Sequence, residues 1–263
     1  MNLQLEQKVA LVCASSAGIG KAIAKGLAEE GVHVSILART PNTLEAAYAE
    51  ISKVARGKVM QTVCDVANSK DIAAVCESTQ SKLGPIDILI NNQGGPAPGS
   101  LFDVTNEQLD SAIDTNIKAV FQFTKFCLPG MKQRRCGRVL NVLSISAKEP
   151  LPGMLLSNVM RPAILGFAKT LATEYAAAGV TINSLLPSAV MTARATRLME
   201  ARAKNEGVDL KTVVANASKG IPIGYIASPE EFAQLAVFLC SPNASYINGA
   251  AIAVDGGSNR GLF

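Results

Sequence analysis

The chain has 263 residues, 48% of them hydrophobic, with 21 glycines, no tryptophan and a formal charge of +4 from 25 basic against 21 acidic side chains. That length and apolar content fit one large domain with a sizeable core, and so weak and dispersed a charge argues against a nucleic-acid partner. One histidine, His33, excludes a Ser-His-Asp triad and leaves no basis for a His-based metal site, so no metal is expected.

Apolar runs of strand length alternate with helical patterns. "KVALVCA" (8–14) reads as the first strand, and "GIGKAIAKGLAEEG" as a helix stopped by Gly31. "VHVSILA" is the second strand, with His33 as a satisfied strand residue. The helix after it opens with Thr40 as N-cap and Pro41 in its first turn. "KVMQTVCD", "SKDIAAVCESTQSKLG" and "IDILINN" supply the third strand, third helix and fourth strand. The loop "QGGPAPGS" then leads to a long helical region from about residue 106 to 132. "GRVLNVLSIS" is the fifth strand, and the stretch 155–172 leads into a helix through Ala178. "GVTINSLLP" is the sixth strand, residues 191–220 are polar and less regular, and Ser228 caps a helix with Pro229 at its first position. "GAAIAVDGG" closes as the seventh strand. Strands this apolar, joined by helices, predict a Rossmann-like, doubly wound α/β domain: a seven-stranded parallel sheet with helices on both faces, spanning residues 1–263.

Six cysteines without C-x-x-C spacing read as small buried hydrophobes in a reducing compartment. No leader pattern or membrane-length apolar run is present, so a cytoplasmic protein with no membrane partner is expected. The only basic cluster, "KQRRCGR" (132–138), reads as a solvated helix end.

The turn "CASSAGIG" (13–20) sits between the first strand and first helix. Gly18 and Gly20 allow close backbone approach, and the helix N-terminus attracts a pyrophosphate. Ala14, Ser15, Ser16 and Ile19 complete that cofactor cradle. At the end of the second strand a carboxylate would favour NAD(H). This chain has Arg39 and Thr40 there, and a guanidinium suits a 2′-phosphate, so NADP(H) is preferred.

These motifs, in this order, resemble the short-chain dehydrogenase/reductase family, and within it the branch of 3-oxoacyl-carrier-protein reductases and related ketoreductases. The resemblance runs over nearly the whole chain. It implies that Asp65 and Val66 of "CDV" meet the adenine, and that "NNQGG" supplies Asn91 and Gly94, with Gln93 in place of a small alanine. It makes Asn116 the holder of a proton-relay water and Ser144 the catalytic serine. "INSLLPSAVMT" brings Pro187, Val190 and Thr192 to the nicotinamide end, with Val190 and Thr192 by its carboxamide. Family members usually form tetramers, so a homotetramer or homodimer is expected, with 191–220 as a substrate lid.

The family's catalytic tyrosine stands thirteen residues after the serine, with lysine four beyond. From Ser144 that count lands on Ser157 and Arg161, and "RPAILGFAKTLA" confirms the register. Serine is far less acidic than a phenol, and arginine stays protonated, so Arg161 can bond ribose oxygens without shuttling protons. Pro162 disfavours helix at Arg161, which implies a helix that starts nearby or has distorted first turns. Lys148 is the alternative acid if desolvation lowers its pKa, with Glu149 as a partner; Tyr225 is a weaker one. Three readings stay open: an NADP(H)-dependent reductase of an oxo group on a small-molecule or acyl substrate with a non-standard proton donor; a lyase, isomerase or cyclase; and a nucleotide-binding protein without turnover.

Overall fold

The computed structural model describes residues 1–262. The apolar runs form seven strands: β1 (Val9–Val12), β2 (His33–Ala38), β3 (Val59–Val63), β4 (Ile88–Asn92), β5 (Gly137–Val142), β6 (Val180–Pro187) and β7 (Ala251–Val254). All neighbours are parallel, in the order β3-β2-β1-β4-β5-β6-β7. Parallel neighbours need crossovers. Helices α1 (Gly18–Glu29), α2 (Pro41–Ser52), α3 (Ser69–Leu83), α4 (Asn106–Ala112), α5 (Ala119–Arg134), α6 (Leu155–Tyr175), α7 (Ala193–Glu206), α8 (Leu210–Lys219) and α9 (Pro229–Cys240) lie in the connections.

The two-residue side-chain period of each strand splits the core into two layers. Ala10 and Val12 of β1 pack with Ile23 and Leu27 of α1, Leu44 of α2 and Phe232 of α9. Leu11 and the adjoining Cys13 face the other way, onto Val75 and Cys76 of α3, Phe123 and Cys127 of α5 and Ala168 of α6. The chain winds outward in both directions from β1, so the ends of β1 and β4 flank the point where strand order reverses. In such sheets that crevice is where ligands bind.

Several boundaries differ from the sequence reading. β5 stops at Val142; its last ladder partner is Leu185, and Ile145–Ala147 turn into a 3₁₀ segment. The long central helix carries a π-helical segment, Ile113–Lys118, between α4 and α5. Thr40 occupies the N-cap of α2, but its side chain makes no cap hydrogen bond. Helix α6 neither starts late nor stops at Pro162: it begins at Leu155 and runs through the proline. Asn158 clamps that start, accepting from Leu151 N (3.0 Å) and donating to Leu151 O (2.9 Å). The polar stretch 191–220 forms α7 and α8, capped by Thr192 and Asp209.

The basic cluster is largely exposed, and its three arginines tie α5 and β5 to neighbouring backbone. Arg134 donates to Ile86 O (2.7 Å), Arg135 to Ala177 O (2.8 Å) and Arg138 to Ser241 O (3.3 Å). His33 Nδ1 accepts from Lys58 N (3.0 Å), as befits a strand residue. All six cysteines are free thiols. Among the described residues no helix is long and apolar enough to cross a membrane, and no group of three or more His, Cys, Asp or Glu could hold a metal.

Candidate active site

The turn from β1 into α1 is set by one close approach. A Cβ on Gly20 would lie 2.5 Å from Ala14 O and 2.5 Å from Asn92 Nδ2, so only glycine fits. Asn92 Nδ2 donates to the carbonyls of Cys13 and Ala14, both at 3.2 Å, and so ties the turn to β4. Ser15 is fully buried and ties it to β2. Its hydroxyl donates to Val12 O (2.8 Å) and accepts from Leu37 N (3.0 Å), while its own N–H donates to Leu37 O (3.0 Å). Ser15 therefore shapes the cradle from behind. Ala14 takes a left-handed φ of 46°, and Gly18 one of 56°. Ile19 packs on the core.

A cleft of about 490 Å³ opens in front of this turn. Ala14 and Ser16 form its floor, Leu37 to Thr40 one wall, Cys64 and Val66 the next, and Gln93 to Ala97 with Thr115 the far side. Arg39 and Thr40 thus stand together at its edge. Gly94 and Gly95 face open space, with nothing within 4 Å of a Cβ built on either. A dinucleotide fits this shape: a helix N-terminus for phosphate, a cation at the rim and bare backbone opposite. Asp65 is exposed and does not line the cleft; its carboxylate accepts from Ala67 N (3.0 Å). Asn91 points into the core, donating to Asn141 Oδ1 (3.0 Å) and Thr124 Oγ1 (3.2 Å). Burial pushes the Cys64 thiol up to about 12, which leaves it inert as a nucleophile.

Beyond the ends of β5 and β6 lies a second group of polar residues. Ser144 is half-buried, and its Oγ accepts from Ser146 N (3.1 Å), which leaves the hydroxyl proton free to donate outward. Ser146 and Ser157 share a buried hydroxyl–hydroxyl hydrogen bond of 2.8 Å. Ser157 thus has a partner within the protein, and either hydroxyl can be the donor. Arg161, one turn further along α6, is 3% exposed, and neither Nε nor Nη1 has a partner. No ion pair among the described residues includes it. Burial alone lowers its pKa to about 10, so the guanidinium stays charged at neutral pH. Asn116 sits in the π-helical segment, fully buried, with Nδ2 donating to Thr115 Oγ1 (3.1 Å) and Oδ1 unpartnered. π-Helical turns recur at functional sites because they free backbone groups and re-aim side chains.

Lys148 and Glu149 are both exposed just after the 3₁₀ turn, so the desolvation asked of Lys148 is absent. Tyr225 donates to Glu231 Oε1 (3.0 Å), which raises its pKa. Pro187 ends β6, Val190 is buried and bridges Ala227, and Thr192 caps α7 with its methyl 3.0 Å from a Cβ built on Gly18. Sequence reasoning passed over Asn92, the anchor of the turn, and treated Gln93 only as a departure. Gln93 is buried in the cleft wall with Nε2 unpartnered.

A family model described as enoyl-(acyl carrier protein) reductase matches residues 13–259. Over 256 residues the chain is 38% identical to dehydrogenase/reductase SDR family member 4 of Oryctolagus cuniculus, covering 97% of this chain and 94% of that protein. It is 34% identical over 266 residues to the uncharacterized oxidoreductase YvrD of Bacillus subtilis, with 100% of both covered. L-sorbose reductase from Gluconobacter frateurii, in a crystal structure with NADPH and L-sorbose, shares 33% identity and a TM-score of 0.95 over 100% of both chains.

Two substitutions test this geometry. Gly20→Ala forces the turn apart, so calorimetry should show dinucleotide binding abolished and thermal unfolding should show a less stable fold. Arg161→Met removes an uncompensated buried charge whose displaced pKa corresponds to roughly 3 kcal/mol. The penalty is present in full at every pH below about 10 and is relieved as pH rises above that. At pH 7 the ligand-free variant should therefore melt higher, by roughly 2–4 °C per kcal/mol recovered.

Proposed function

Because this chain belongs to the short-chain dehydrogenase/reductase family and is an oxidoreductase of that type, we propose that it is an NADP(H)-dependent reductase acting on an oxo (carbonyl) substrate, a small molecule or an acyl group. Ser157 and Arg161 stand at the family's tyrosine and lysine positions. The observation that carries this reading is the cleft itself: a Gly20-dependent turn at the mouth of α1, with Arg39 free at its rim.

Arg39, Thr40 and Ser16 hold the adenosine 2′-phosphate, and the amides at the start of α1 hold the pyrophosphate. Val66 borders the adenine. Gly94 leaves room for the ribose, and Pro187, Val190 and Thr192 border the nicotinamide. When bound, the reduced dinucleotide supplies a hydride. The orphaned donors of Arg161 would hold the ribose hydroxyls, which would give that buried cation partners. The free proton of Ser144 polarises the substrate oxygen. Asn116 Oδ1 orders a water behind the site, and the proton comes from water on that side, since a serine hydroxyl such as that of Ser157 is a weak acid and Lys148 is exposed.

The chain forms one domain, with α7 and α8 as the substrate lid. Phe121 of α5 and Val159 of α6 are half exposed, at 50% and 53%, and Phe121 packs at a tilt against Phe167 (ring centroids 5.9 Å apart); these faces pair between copies in a homotetramer or homodimer. Six free thiols accord with a reducing, cytoplasmic location.

Arg39→Ala should weaken NADPH roughly 10- to 100-fold by calorimetry, with much less effect on NADH, because it removes one charge-assisted phosphate contact. An unchanged NADPH/NADH ratio would remove Arg39 from the phosphate site. Ser144→Ala should lower NADPH consumption across an oxo-compound panel by about 100-fold. Binding of NADPH without turnover on any panel member would contradict the reductase reading.

A further inference from the structure

Arg161 gives the site an unbalanced charge. Its guanidinium is 3% exposed, Nε and Nη1 have no partner, and no ion pair among the described residues includes it. The ribose hydroxyls assigned to it above would take up some of its five N–H donors, but they bring no negative charge. Buried cations are ordinarily met by an anion, because neutral partners alone do not offset the lost solvation. Ser157, one turn before Arg161, is far smaller than a tyrosine, and its hydroxyl is engaged with that of Ser146 (2.8 Å), so no ring at that position covers the guanidinium.

A second observation is independent of Arg161. Residues 191–220 hold six Lys and Arg against three Asp and Glu, in a chain whose whole excess is +4. Helix α7 begins there beside the phosphate turn, where the methyl of Thr192 approaches Gly18. Arg194 and Arg197 in its first turns are exposed and belong to no ion pair among the described residues. A rim of one sign draws in ligands of the other.

We infer that the substrate is itself an anion, a 2-oxo acid, whose carboxylate pairs with Arg161 while its oxo oxygen accepts from the hydroxyl of Ser144. This rests on the reductase reading above and narrows it. Ser144 bonds Ser146, Ser146 bonds Ser157, and Arg161 follows one helical turn later, about 5.4 Å along the axis, so donor and cation lie within the compass of one small molecule. A carboxylate beside the oxo carbon repels both the arriving hydride and the charge forming on oxygen. A fixed guanidinium cancels that repulsion and meets the carboxylate with two parallel N–H···O bonds. In the step, a C–H bond forms at the oxo carbon with the hydride's electron pair, the carbonyl π pair moves onto oxygen, and that oxygen takes a proton from water. The sum is a 2-oxo acid, the reduced nicotinamide dinucleotide and one proton giving the 2-hydroxy acid and the oxidised dinucleotide.

The test has a turnover arm and a binding arm. The turnover arm compares 2-oxobutanoate with its methyl ester at saturating NADPH. The ester is the more electrophilic ketone, so chemistry alone favours it. For the wild type, kcat/KM should be higher for the acid by about 100-fold. That preference should vanish in Arg161→Met and return in part in Arg161→Lys. A wild type that reduces the ester as well as the acid, or a preference unchanged in Arg161→Met, overturns the inference and leaves the reductase reading intact. The binding arm needs no turnover. Calorimetry on NADPH-saturated protein should show 2-hydroxybutanoate bound at least about tenfold more tightly than the neutral 2-hydroxybutanamide, with the two bound alike in Arg161→Met. Equal binding of acid and amide to the wild type overturns the inference. If another oxo compound is reduced and 2-oxobutanoate is not, the inference falls alone. If NADPH binds and no oxo compound is reduced, the reductase reading falls with it.

Discussion

The contact between the position of Gly20 and the Ala14 carbonyl governs the rest of the structure. Only at that spacing can α1 start directly beyond β1 and aim its free amides into the crevice between β1 and β4. Two side chains hold the spacing from opposite sides: Ser15 binds the turn to β2 and Asn92 binds it to β4. The turn is over-determined as a result, which is how it keeps Ala14 at a left-handed φ that costs an L-residue roughly 1–2 kcal/mol. Arg39 follows from the same arrangement, because the β2 end that Ser15 grips carries it to the cleft edge.

The other end of the site depends on electrostatics more than on shape. Arg161 is a full charge enclosed beside Ser157, Met160 and Ile164 with no carboxylate to meet it. Asn116 adds a buried acceptor that also lacks a partner. Unsatisfied groups of this kind are rare in folded proteins and are usually found where a ligand or ordered water completes them. The two halves thus differ in kind. The turn at the phosphate end is held by the protein's own hydrogen bonds, whereas Arg161 and Asn116 at the other end keep donors and an acceptor without a protein partner.

Much of this was legible in the sequence. Seven apolar runs and the helical periods between them specify the alternation of strand and helix, and a parallel sheet follows from the crossovers. Gly18, Gly20 and Arg39 could be picked out because their residue types have few other uses at those points. Other features depend on partners distant in sequence. Asn91 and Asn92 are adjacent, but strand alternation sends one into the core and the other to the turn. Ser15 has the composition of a phosphate ligand and the hydrogen bonds of a bracket. The π-helical turn around Asn116 has no residue signature, and Pro162 lies on the exposed side of α6, between the buried Met160 and Ile164. Lys148 could be judged only once its exposure was known.

The most direct measurement is a crystal structure grown with saturating NADP+. The account requires pyrophosphate oxygens at the amides of Gly18 to Gly20, the 2′-phosphate on Arg39, and a ribose hydroxyl within hydrogen-bond distance of Arg161. A clear dinucleotide whose phosphates lie elsewhere, or a cleft that stays empty at millimolar NADP+, would contradict it.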